Sequence, residues 1–222
     1  MAAYDLEEQE QLAELKAWWK QYGNLVTGIV VVAALAVLAW QGWNAYQRKQ
    51  AAEASSAFSV LQRAASEGDT QKAKSAAGEL VEKYGRTTYA SLGALTAAKA
   101  LYESGDLKSA KAQLNWVVEN GKDEFRDLGR LRLAAVLLDE KAHEEALKVL
   151  SASHGASFAG RFAELTGDIH AAQGKNKEAV TAYKAALAAA EGGKEGAERL
   201  RDTNRPYREI LQQKIDALGG GK

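Results

Sequence analysis

Three histidines, His143, His154 and His170, are the side chains best suited to metal binding or acid–base catalysis in this 222-residue chain. No two of them are three or four residues apart, so no pair can form a metal site on one helix face. The chain has no cysteine, which excludes thiolate metal sites, thiol catalysis and disulfide bonds. The segment Gly-Gly-Lys-Glu-Gly at 192–196 lacks the spacing of a phosphate-binding loop. We therefore predict no catalytic, cofactor or metal site, and a protein that is not an enzyme.

A long uncharged segment is the dominant feature of the chain. Residues 21–47 carry no charged side chain, and the stretch from Leu25 to Trp40 is almost wholly apolar. Crossing a bilayer takes about 20 apolar residues in a helix, and a single span must be helical to satisfy its backbone. We predict a transmembrane helix at 21–47 after an acidic tail at 1–20. A buried soluble helix and a cleaved signal peptide are the alternatives, and the late start and bulky tryptophans disfavour the second.

Aromatic residues flank this segment on both sides, as expected at membrane–water interfaces. From Tyr22 to Trp43 the rise is about 32 Å at 1.5 Å per residue, which matches a bilayer. Lys16 and Lys20 on one side balance Arg48 and Lys49 on the other, so the positive-inside rule leaves the orientation open. The predicted interface residues are Trp18, Trp19, Tyr22, Trp40, Trp43 and Tyr46.

The remaining 175 or so residues suffice for one soluble domain. Residues 1–47 hold two basic and five acidic side chains, so the chain totals of 29 and 29 leave 27 basic and 24 acidic residues for this domain. Such a mixed surface does not favour nucleic-acid binding, which needs a clustered basic face. The single proline and the abundance of alanine, leucine, lysine and glutamate predict an all-α domain.

Four similar segments divide the domain into helix pairs. Each segment is a short polar turn that ends in an alanine, as in Gly105-Asp-Leu-Lys-Ser-Ala110. The alanines are 37, 36 and 33 residues apart, close to the 34-residue period of tetratricopeptide repeats. In those repeats a small residue sits where two antiparallel helices touch. The third copy lacks the turn glycine and has Lys141 instead, and an irregular helical bundle is the alternative fold. The aligned alanines are Ala73, Ala110, Ala146 and Ala179.

The ends of the repeat array have their own predicted roles. Residues 47–67 continue the membrane helix and supply the first helix of the first repeat, so the repeat domain spans 48–190. A loop at 191–204 precedes an amphipathic helix at 205–218 with Pro206 in its first turn. This helix would cap the apolar end of the solenoid, as terminal repeats require, and residues 219–222 would form a disordered tail.

A helical solenoid presents a concave groove lined by the first helix of each pair. Aligning the repeats on the alanines places one aromatic side chain among mixed charges on this face, a combination suited to a peptide or partner segment. Ordinary solvated residues are the alternative interpretation. The predicted groove residues are Lys99, Tyr102, Glu103, Asp139, Arg161, Glu164 and Asp168.

The order of several motifs resembles one family, the ancillary SecYEG translocon subunits of Gram-negative bacteria (YfgM-like). The acidic tail leads into Tyr22-Gly-Asn, and Gly42-Trp-Asn-Ala-Tyr46 ends the apolar segment. The likeness continues in Thr88-Tyr-Ala-Ser-Leu92, in Leu131-Arg-Leu-Ala134 and in Gln213-Lys-Ile-Asp-Ala-Leu218. The segment from Glu191 to Asn204 is longer than is usual in the family.

This resemblance implies an inner-membrane protein with a cytoplasmic N-terminus and a periplasmic repeat domain. It implies association with the SecYEG translocon and with the membrane-anchored chaperone PpiD, and hand-over of newly translocated, unfolded clients. The residues also leave open a membrane-anchored scaffold for envelope assembly or division that binds no clients. Tethering would support the first function, because it raises the effective concentration of a weak binding groove.

Overall fold

The computed structural model describes residues 2–191 and 204–220, with side chains from residue 8 onward, and every secondary-structure element in them is helical. A short 3₁₀ turn, Ala156–Phe158, precedes the seventh α-helix. The α-helices are α1 (Ala2–Ser66), α2 (Thr70–Tyr84), α3 (Thr88–Glu103), α4 (Leu107–Asn120), α5 (Asp123–Asp139), α6 (His143–Leu150), α7 (Ala159–Ala172), α8 (Asn176–Ala190) and α9 (Arg205–Ala217).

The chain divides into two compact units, residues 1–52 and residues 53–222. The first unit consists of the N-terminal part of α1, in which apolar side chains such as Leu25, Val32 and Leu38 are 63%, 67% and 64% exposed. This helix is long and apolar enough to cross a membrane. Exposure on this scale sets the helix apart from the buried core helix of a soluble protein.

The second unit is the predicted tetratricopeptide-like solenoid, and the structure confirms this fold. Successive helices pack as neighbours from α2 to α9, and α5 also contacts α3 and α7. All four aligned alanines are fully buried where two helices meet. Each therefore occupies the close-contact position that the repeat period predicts.

The turn between paired helices is built the same way in each repeat. Gly68, Gly105 and Gly174 have φ angles of +73°, +87° and +73°, in the left-handed region that glycine adopts without steric cost. In the third repeat Lys141 takes this conformation with φ +62°. The chain therefore keeps the turn even where a side chain disfavours it.

Small residues also lie twelve positions before the aligned alanines, on the first helix of each pair. Ala98, Ala134 and Gly167 occupy this position and are buried. A Cβ atom on Gly167 would lie 2.5 Å from a ring carbon of Tyr183, so the ring of α8 packs directly on the backbone of α7. The first repeat differs, because Leu61 of α1 occupies this position and is fully buried.

Helix α9 closes the C-terminal end of the solenoid. Leu211 and Ile215 are buried against Ala179, Tyr183 and Ala186 of α8. Gly219, with φ +78°, and Gly220 end the helix in a turn that hydrogen-bonds to Asp216 and Ile215. Of the predicted loop at 191–204, residues 192–203 lie outside the described residues, as do 221 and 222 of the predicted tail.

Candidate partner-binding groove

A cavity of about 440 Å³ opens between α3 and α5, the first helices of two successive repeats. Four of its eight lining residues are aliphatic, three are charged and one is a tyrosine. Three of the predicted groove residues, Lys99, Tyr102 and Asp139, are among those that line it. The full lining is Ala98, Lys99, Tyr102, Leu114, Arg132, Ala135, Val136 and Asp139.

Tyr102 and Asp139 join the two helices across this cavity. The Tyr102 hydroxyl donates a hydrogen bond of 2.5 Å to Asp139 Oδ2, and this bond raises the pKa of the tyrosine above its ordinary value. The Tyr102 ring remains 40% exposed. Lys99 lies 3.7 Å from Glu103 on the surface of α3, four residues along the helix. The cavity is therefore polar at one edge and aliphatic beneath.

Arg132 on α5 is the charged lining residue that the repeat alignment did not indicate. Its guanidinium donates a hydrogen bond of 3.2 Å to the backbone carbonyl of Leu95. Among the described residues no carboxylate forms an ion pair with Arg132. Burial of its packed side lowers the pKa of the guanidinium, while the rest of the residue stays exposed. A positive charge with spare donors thus lines an aliphatic cavity.

Three further predicted residues, Arg161, Glu164 and Asp168, lie on α7, where side chains of helix α9 contact them. Lys214 of α9 donates hydrogen bonds of 2.9 Å to Glu164 and 2.7 Å to Asp168. Tyr183 donates a further bond of 2.8 Å to Asp168. These acids are therefore engaged within the chain.

Cation–π and ionic contacts complete this network between α7 and α9. The Arg161 guanidinium lies 4.3 Å from the centre of the Tyr207 ring and 3.1 Å from Glu164. Burial raises the pKa of Glu164, but Lys214, Tyr207 and Arg161 together outweigh it and the net pKa is lowered. Burial lowers the pKa of Lys214, but Asp168 and Glu164 outweigh it and the net pKa is raised. Both groups are thus held in their charged forms.

The histidines lie apart from each other, and among the described residues no three histidine, aspartate or glutamate side chains converge on a common point. His143 begins α6, His154 lies 4.3 Å from the Phe162 ring centre, and His170 is on α7. His154 therefore packs on an aromatic ring, whereas His143 and His170 lie on two different helices.

The predicted interface aromatics form two groups on α1. Trp18 contacts both Trp19 and Tyr22, and Trp43 contacts Tyr46, with ring centres 5.8–6.3 Å apart. All of these rings and that of Trp40 are between 42% and 65% exposed. They are the large aromatic surfaces that border the apolar stretch.

Comparison with known proteins decides the family. A family model for a tetratricopeptide repeat-like domain matches residues 16–220. The ancillary SecYEG translocon subunit of Neisseria gonorrhoeae is 31% identical over 220 residues, which cover 98% of this chain and all of that protein. The chain belongs to the family of ancillary SecYEG translocon subunits.

Other members of the translocon subunit family are similarly related. The subunit from Haemophilus influenzae is 31% identical over 185 residues, or 83% of this chain and 90% of that protein. The Escherichia coli subunit is 28% identical over 156 residues, or 70% and 69%. In fold, the chain also matches MamA 41-end from Desulfovibrio magneticus RS-1, at 20% identity and a TM-score of 0.50, over 74% of this chain and 92% of that one. Fold and family together indicate a non-enzymatic scaffold.

Proposed function

We propose that this protein is an inner-membrane-anchored repeat protein that associates with the SecYEG translocon. The observation that carries the proposal is the end-to-end similarity to the N. gonorrhoeae protein named as an ancillary subunit of that translocon. The exposed apolar face of α1 supports membrane anchoring, because a soluble protein rarely leaves so large an apolar surface in water. The two aromatic groups on α1 would lie at the membrane interfaces.

The repeat domain would work in the periplasm and bind partner segments in the cavity between α3 and α5. Its partners would be the chaperone PpiD and unfolded proteins leaving the translocon, which the domain would hand on to periplasmic chaperones. Support comes from the aliphatic lining and from the exposed ring of Tyr102. A tether of this kind can raise apparent affinity by about 10²–10⁴ without any new contact.

Co-purification of the full chain and of a variant without the membrane helix tests this proposal against the alternative, a membrane-anchored envelope scaffold that binds no clients. The full chain and a variant lacking residues 1–47 would be purified from cells, and co-purified translocon and PpiD quantified. We expect the full chain to retain both, and the soluble domain to retain PpiD or clients while losing the translocon. A soluble domain that binds nothing would favour the envelope scaffold, in which the membrane helix alone makes the contacts. A full chain without translocon would contradict the proposal itself.

A further inference from the structure

The cavity between α3 and α5 combines two chemical features on one site. Its floor is aliphatic, formed by Ala98, Leu114, Ala135 and Val136. Arg132 lines the same cavity and has one hydrogen bond, to a neutral backbone carbonyl. A guanidinium has five N–H donors in a planar fork that matches a carboxylate. The protein therefore presents donors for an anion beside a space for an apolar group.

Neighbouring acids are already engaged with other partners. Asp139 accepts the hydroxyl of Tyr102, and Glu103 pairs with Lys99 along α3. Within the described part of the chain, Arg132 has no carboxylate partner. Because burial of its packed side disfavours the charged form, an incoming anion would relieve that cost. The lining carries two cations, Lys99 and Arg132, and one anion, Asp139, so its net positive charge is complementary to a negative charge.

We propose that this cavity binds the free C-terminus of a partner protein that ends in an aliphatic residue, with the terminal carboxylate on Arg132. A C-terminal leucine or valine carries its carboxylate and its apolar side chain on the same Cα, so one residue satisfies both features of the cavity. An internal aspartate or glutamate would need a second residue to fill the aliphatic floor. Capture of a chain terminus is an established mode of peptide recognition.

This inference deepens the proposed partner binding and rests on it only for the identity of the protein that supplies the C-terminus. The probe is a fluorescent pool of degenerate octapeptides that all end in leucine with a free carboxylate. Two further pools serve for comparison. In the first, the same sequences end in a C-terminal amide. In the second, the C-terminus is also an amide, and each peptide contains an internal Glu-Leu pair. Binding to the full chain in nanodiscs would be followed by fluorescence anisotropy.

We expect the free-acid pool to bind about tenfold or more tightly than either amidated pool, since a hydrogen bond to a charged group contributes roughly a factor of ten or more. Arg132→Met should abolish this preference and Arg132→Lys should weaken it. Arg63→Met removes an exposed arginine from α1 that does not line the cavity, so it should change nothing. Circular dichroism would verify that the variants fold.

Several results would overturn the inference. The first is equal affinity for the free-acid pool and the same sequences amidated, and the second is no binding of any pool. The third is that the amidated pool with the internal Glu-Leu pair binds as tightly as the free-acid pool. The fourth is a preference for the free acid that survives Arg132→Met. The first three are measured on the unmutated protein, so they do not depend on how a variant folds. A failure here with the translocon still co-purifying would refute the C-terminus site alone. Peptide binding without translocon association would refute the proposed function alone.

Discussion

At the residue scale, the turn of the third repeat contains a backbone conformation that its side chain disfavours. Lys141 has φ +62°, whereas the other three repeats use glycine at this point. Replacing Lys141 by glycine should stabilise the domain by about 1 kcal/mol, because an L-residue costs roughly 1–2 kcal/mol here and glycine loses part of that gain in unfolded-state entropy. The thermal midpoint should rise by about 2–4 °C. The reciprocal variant Gly105→Lys should lower it, and a rise in both would contradict the explanation.

Two helical glycines make a matched pair for testing close packing. A Cβ on Gly167 would meet the Tyr183 ring at 2.5 Å, whereas a Cβ on Gly78 would meet nothing within 4 Å. Gly167→Ala should therefore destabilise the domain by about 1–3 kcal/mol through overpacking. Gly78→Ala should stabilise it by about 0.5–1 kcal/mol through helix propensity. Urea unfolding followed by circular dichroism measures both, and equal effects of the two substitutions would refute the packing argument.

The sequence predicted the residues that follow the repeat period and missed those that depend on a second element. The repeat spacing identified the buried alanines and the turn glycines, because these positions recur at a regular interval and are determined by local helix and turn geometry. It also placed Glu164 and Asp168 on the concave face, but it could not show that Lys214, some 50 residues later, pairs with them. Arg132 gave one usable signal, a lone cation in the apolar stretch from Leu131 to Leu138. The cavity that Arg132 lines forms only where α3 and α5 pack side by side, which the sequence pattern alone does not show.

At the element scale, helix α9 is linked to α7 by ion pairs, whereas its buried leucine and isoleucine pack against α8. Glu164 has its pKa lowered from 4.5, so its stabilisation is present above pH 4.5 and is lost as the pH falls below that value. Lys214 has its pKa raised from 10.5, so its stabilisation is present below pH 10.5 and is lost as the pH rises above it. The network should therefore act fully between these two values.

Removing the ammonium tests this network. Lys214→Met should cost about 1–3 kcal/mol near pH 7, since it removes the ammonium that donates to two partly buried carboxylates and leaves only Arg161 beside Glu164. The difference from the unmutated protein should shrink as the pH falls below 4.5, because Glu164, whose pKa is lowered from that value, then becomes protonated. Lys184→Met, an exposed change on α8, is the control and should have little effect. Thermal unfolding across pH 3–8 measures both, and a loss that is independent of pH would contradict the account.

At the scale of the whole molecule, the lack of cysteine allows the membrane orientation to be mapped with single introduced thiols. Glu10→Cys in α1 and Ala112→Cys in α4 are both at exposed positions. In cells with a permeabilised outer membrane, a membrane-impermeant maleimide should label Ala112→Cys and leave Glu10→Cys unlabelled until the cells are lysed. The reverse pattern would put the repeat domain in the cytoplasm and contradict the proposed hand-over of translocated proteins.

The measurement that tests the central claim most directly is site-specific photo-crosslinking in living cells, with the crosslinker at Trp40 in one variant and at Tyr102 in another. Both side chains are exposed, and they lie respectively at the end of the apolar stretch and in the groove. We predict adducts with translocon subunits from Trp40, and with PpiD or secreted proteins from Tyr102. Adducts only with cytoplasmic proteins from Tyr102, and none with the translocon from Trp40, would contradict the account.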